Sequence, residues 1–159
     1  MQVEPERVLS QFRRLQVALV DASSIIYMVK AGFFELAAAN LEFHSTQQVI
    51  EETGYQNLRV GTLAAIALPP DRSLLHYAER LKWPVITEDK GIIKDLQVKQ
   101  LPFFNALLVL EYLSFRKLIV PEDYSRCSIQ LLACARYGLE IIEFARAVHR
   151  VFDPLPAPP

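Results

Sequence analysis

The run Val17-Ala-Leu-Val20 stops abruptly at Asp21-Ala-Ser-Ser24, and this junction constrains the fold more than any other feature of the chain. Four consecutive apolar residues without polar alternation suit a strand covered on both faces, as in a parallel sheet. Helical patterning follows over residues 25–30 and 33–39, broken at Gly32. The same alternation then recurs. Residues 42–45 are predicted as a short strand, and a helix from about Gln47 stops at Gly54. Residues 55–70 are ambiguous and close at Pro69-Pro70. A helix is predicted over residues 71–82, with Asp71 at its N-cap and Leu74, Leu75, Ala78 and Leu81 at helical spacing. Strands over 84–87 and 102–105 alternate with helices over 91–99 and 106–116. An amphipathic helix over 4–14 precedes this series, and helices near 128–137 and 139–152 complete it. Short apolar strands alternating with helices predict an α/β fold with a mostly parallel sheet.

With 159 residues and no internal linker, the chain is expected to form one domain over residues 1–152, followed by a Pro-rich tail over 153–159. The 17 Lys and Arg residues against 18 Asp and Glu give a net charge of −1. No basic excess therefore advertises tight binding to duplex nucleic acid. The longest apolar stretches, such as residues 61–70, fall well short of the roughly 20 residues that span a bilayer. The N-terminus is mixed in charge and lacks an apolar signal core. A soluble cytoplasmic protein is expected, with Cys127 and Cys134 as two buried thiols rather than a disulfide.

Motif searches exclude several chemistries. The five glycines, at 32, 54, 61, 91 and 138, make neither GxGxxG nor a Walker A loop. His44, His76 and His149 are scattered, without zinc-ligand spacing. No G-x-S-x-G elbow is present. Carboxylates at strand ends remain. Asp21 follows the first strand, Asp89 follows the strand that ends at Thr87, Asp71 opens the helix before it, and Glu51 and Glu52 lie on the helix after the second strand. Ligands of open parallel sheets gather beyond the carboxyl ends of the strands. Gathered carboxylates repel one another, and hard cations such as Mg²⁺ or Mn²⁺ relieve that. A pair of such ions can activate water and stabilise the leaving oxygen of a phosphodiester. Taken singly, Asp21, Asp71 and Asp89 read first as N-caps and Glu51 and Glu52 as solvated helix residues, and Ser23 and Thr87 read equally well as turn residues.

The ordered combination of these segments resembles the PIN domain family. VALVDASSIIYMVKAGFFEL resembles its opening strand, which ends in Asp followed closely by Ser or Thr. TQQVIEETG resembles its V-x-x-E helix, and DRSLLHYAERLKWPVITEDKGI its D-x-x-x-L-x-x-A helix leading to a T-x-D strand end. LPFFNALLVLEYLSFRKLIV resembles the closing strand and helix, so the match covers residues 17–120 and leaves 121–152 as a C-terminal helical addition. The resemblance implies a three-layer α/β/α fold with a sheet of about five strands. It also implies Mg²⁺- or Mn²⁺-dependent cleavage of single-stranded RNA. Carried across position by position, Asp21, Glu52, Asp71 and Asp89 match the metal-binding and catalytic carboxylates, with Glu51 the alternative to Glu52. Ser23, Thr87 and Asn105 match supporting polar positions. Many prokaryotic members are toxins of the VapC type, often dimeric and paired with an antitoxin. Compact toxins end near the segment matched by residue 120, whereas this chain continues.

Two rivals differ in class. One is a non-catalytic PIN-like module that binds RNA or protein. The other is a phosphoryl-transfer domain with Asp21 as nucleophile, but Asp21-Ala-Ser23 lacks the second Asp of the D-x-D arrangement. If metal occupies four of the 18 acids, 18 − 4 = 14 acids face 17 bases, so the bulk charge does not exclude an RNA partner.

Overall fold

The computed structural model describes residues 3–155. In chain order its elements are α1 (Pro5–Arg14), β1 (Val17–Val20), α2 (Ala22–Ala31), α3 (Phe34–Asn40), β2 (Glu42–Thr46), α4 (Gln47–Thr53) and β3 (Gly61–Leu63). They continue as α5 (Pro70–Leu81), β4 (Val85–Ile86), α6 (Lys90–Val98), β5 (Phe103–Phe104), α7 (Ala106–Phe115), α8 (Pro121–Ala135) and α9 (Leu139–Phe152). The five strands form one sheet in the order β3-β2-β1-β4-β5, and every pairing is parallel. Strand order reverses between β1 and β4. Crossovers leave β1 toward β2 on one side, while the chain returns to β4 on the other; in open parallel sheets this reversal point is where the ligand crevice outside the carboxyl ends forms.

Side-chain alternation sorts the core into two layers. Ala18, Val20, Phe43, Ile86 and Phe104 point to one face, where α1, α2, α3, α7, α8 and α9 bury their apolar stripes. Leu19 and Val85 point to the other, against Leu74, Leu75 and Ala78 of α5 and Ile92 and Leu96 of α6. The result is a three-layer α/β/α sandwich, with a sheet parallel throughout rather than mostly so. Phe12 of α1 is fully buried with ring centroids 5.6–5.8 Å from those of Phe104, Tyr112 and Phe115. No single helix among the described residues is long and apolar enough to cross a membrane.

The C-terminal pair α8–α9 belongs to the thicker layer: α8 packs on α2 and α7, and α9 on α1 and α7. A buried polar cluster fastens it. Glu111 of α7, 3% exposed, accepts from the Tyr124 hydroxyl of α8 at 2.5 Å and pairs with His149 Nδ1 of α9 at 2.7 Å. The Tyr124 and His149 rings stack with centroids 5.1 Å apart. The bond to Glu111 is the main reason the His149 pKa is raised, ahead of an opposing effect of burial.

Four local expectations need correction. The ambiguous stretch contains edge strand β3, whose three residues carry too little apolar signal to be read. Helix α8 begins at Pro121, seven residues before its expected start, because Pro at N1 and Glu122 and Asp123 in the first turn start it ahead of the apolar pattern. Asp71 is not an N-cap: Pro69 holds that position without a side-chain bond, and Asp71 lies in the first turn behind Pro70. Cys127 and Cys134 are free thiols as expected, but only Cys127 is buried. The expected tail extends over residues 156–159, which lie outside the described residues; residues 153–155 are exposed.

Candidate functional site

Four helices start at the carboxyl edge of the sheet, each immediately after a strand and each closed by a side chain. Asp21 accepts from Ser24 N–H at 2.7 Å to cap α2, and Thr46 accepts from Val49 N–H at 3.3 Å to cap α4. Asp89 accepts from Ile92 N–H at 2.9 Å to cap α6, and Asn105 accepts from Leu108 N–H at 2.8 Å to cap α7. The sheet geometry thus puts four helix N-termini, each with partial positive charge, beside the acids of this edge.

Asp21 lies at the point where strand order reverses. Its backbone N–H donates to the Ile86 carbonyl at 3.0 Å, joining the ends of β1 and β4. Beyond the Ser24 bond, its Oδ2 accepts from the Thr87 hydroxyl at 2.5 Å and from Glu88 N–H at 3.1 Å. Thr87 is fully buried, and its Oγ1 also accepts from Asp89 N–H at 3.1 Å. The T-x-D end of β4 is thereby wired to Asp21 through one hydroxyl.

The structure brings to Asp21 an acid that motif spacing passed over. Glu88 Oε1 accepts from Ala106 N–H at 2.8 Å, Ser24 Oγ at 3.2 Å and the Tyr137 hydroxyl at 3.1 Å. Its Oε2 lies 3.1 Å from the same Tyr137 hydroxyl. Ser24, which is 0% exposed, therefore serves both acids, Asp21 with its amide and Glu88 with its hydroxyl. Burial pushes the Glu88 pKa up to about 7; the Ala106 amide opposes the rise, and the charge of Asp21 adds to it. Alternation carried past the end of β4 is the signal that could have found this residue. Ile86 faces the α2/α7 layer, and Glu88, two positions on, reaches the same side.

The other expected residues divide into groups. Asp71 and Asp89 line one shallow depression of about 280 Å³ together with Arg72, Lys94 and Asp95. Glu52 is exposed on α4, and Glu51 beside it accepts from Gln47 Nε2 at 3.2 Å. Ser23 is exposed, and the hydroxyl that bonds Asp21 is instead that of Thr87, with Ser24 adding its amide. Among the described residues, no three His, Cys, Asp or Glu side chains are grouped to hold a metal ion. Nor do Asp21, Glu51, Glu52, Asp71, Glu88 or Asp89 form an ion pair with any basic side chain there. Comparison with family models, with curated proteins and with solved structures finds no match.

Proposed function

We propose that the chain is a divalent-cation-dependent nuclease that cleaves single-stranded RNA, of the PIN-like kind its motifs resemble. One observation carries the reading. At the carboxyl edge where the strand order reverses, Asp21 and Glu88 sit side by side with no basic partner among the described residues. Carboxylates left without a counter-ion at the edge where parallel sheets bind ligands suit a hard cation in both charge and donor type. Asp21 and Glu88 would be the first two oxygen donors to Mg²⁺ or Mn²⁺, and Asp89, Asp71 and Glu52 (or Glu51) are the further acids that the resemblance names. When bound, such an ion lowers the pKa of water and offsets negative charge building on a phosphodiester.

The protein's own contribution is positional. Three donors fix Asp21 in a single orientation, which preorganises its remaining lone pairs. Arg72 and Lys94 flank the depression that Asp71 and Asp89 line, and could neutralise backbone phosphates along a strand. Single-stranded RNA as the substrate class, a toxin role, an antitoxin partner and a homodimer come from the resemblance. A second reading, a non-catalytic PIN-like binding module, is favoured by one contact: the Tyr137 hydroxyl engages both oxygens of Glu88.

Cleavage of single-stranded RNA with Mn²⁺ tests the two readings. Asp21→Asn and Glu88→Gln should each lower the rate by about a hundredfold or more, as loss of a preorganised charged group does. Cleavage that survives both substitutions, or none by either the wild type or Tyr137→Phe across several RNA sequences, sinks the nuclease reading and leaves the binding module.

A further inference from the structure

The turn between α8 and α9 reaches across the molecule to the acid pair, and its residues are built as a latch. Tyr137 leaves α8 just after Arg136, whose φ of 50° is left-handed backbone that a non-glycine residue adopts only at a cost. Its ring meets Tyr27 of α2 edge-on at 6.4 Å, and its hydroxyl straddles Glu88 at 3.1 Å from each oxygen. The two oxygens are not equally served. Oε1 also has Ala106 N–H and Ser24 Oγ, whereas Tyr137 is the one donor to Oε2 among the described residues.

We infer that Tyr137 is an autoinhibitory latch: its hydroxyl occupies the Glu88 oxygen a divalent cation would use, and cation binding must displace the α8–α9 turn. The inference rests on the metal-site reading above and concerns the regulation of that site. Opening the latch gives up the Tyr137–Glu88 bond. The remaining donors, Ala106 N–H and Ser24 Oγ, keep Glu88 in place when the turn moves away.

The test is Mn²⁺ titration of the full chain by calorimetry, for wild type, Tyr137→Phe and Asp21→Asn, with hydrogen exchange of residues 136–138 followed with and without Mn²⁺. Tyr137→Phe should bind about tenfold more tightly than wild type, the weight of one competing hydrogen bond to a charged group. In the wild type, saturating Mn²⁺ should speed exchange in the turn. Asp21-dependent binding that Tyr137→Phe leaves unchanged or weakens overturns the latch alone, as does a turn whose exchange ignores saturating Mn²⁺. Binding by Tyr137→Phe where the wild type shows none supports it. Binding indifferent to Asp21→Asn, or absent from every variant, overturns the site reading and the latch together. Exchange on the wild type needs no substitution to fold.

Discussion

Glu111 is buried and Glu88 half-buried, and each accepts from a tyrosine of the C-terminal stretch, Tyr137 for Glu88 and Tyr124 for Glu111. Their partners differ in charge. Glu111 faces His149, which can carry a compensating charge, while Glu88 faces Asp21, which carries the same charge as itself. A buried carboxylate with a cationic partner is a fastening, because the pair satisfies itself. One set beside a second acid is held against its own electrostatics, and an arrangement that costs stability is where function is sought. The same C-terminal addition therefore does two things: it is anchored at Glu111 and it reaches the crevice at Glu88.

Like-for-like substitution breaks the comparison most sharply. Glu111→Gln removes the charge that holds His149 and should cost about 2 kcal/mol of stability in urea unfolding at pH 6, where His149 is charged. At pH 8, where Glu88 is charged, Glu88→Gln removes a repulsion with Asp21 while keeping the side chain's shape, so it should change stability by less than about 1 kcal/mol, or raise it. Equal losses at the two positions would make Glu88 a second fastening and remove the argument for a site.

The pH dependence of stability should show both groups, in adjoining windows. Glu88 has a folded pKa of about 7 against an ordinary 4.5, so the folded state holds its proton more tightly. Its contribution is fully present below pH 4.5 and is lost as pH rises through about 7. His149 is likewise raised, first by its bond to Glu111, from an ordinary 6.5. Its contribution is complete below pH 6.5 and fades as pH climbs through the higher folded value. Both act in the same direction, so the melting temperature should fall in two steps. Glu88→Gln should erase the lower step and His149→Asn the upper one. A single step that neither substitution moves would place the titrating group elsewhere.

What could be read from the sequence follows the range of the interactions. Val17-Ala-Leu-Val20 with Asp21, and Asp89 ahead of α6, were legible because strand and cap are set by residues within four positions of one another. Asp71 misled because a polar residue before an apolar helix looks like a cap even when Pro70 has already started the turn. Spacing motifs fixed attention on Asp89 and passed over Glu88, whose partners Ser24, Ala106 and Tyr137 lie 18 to 64 positions away. No local pattern encodes such a cluster. It exists only once strand order has placed β1 beside β4 and the C-terminal helices have closed over α2 and α7.

The smallest effect completes the contrast between the two tyrosines. Tyr124→Phe deletes one hydroxyl from Glu111, which keeps His149 as its partner, so the loss should be about 1 kcal/mol in unfolding. The ring stays stacked on His149, since stacking does not need the hydroxyl. Because Glu111 belongs to the anchoring cluster rather than to the crevice, the same substitution should leave Mn²⁺ affinity unchanged, whereas Tyr137→Phe raises it. If calorimetry finds Mn²⁺ binding strengthened equally by both, the effect comes from loosening the helical pair as a whole, and the distinction between anchor and latch disappears.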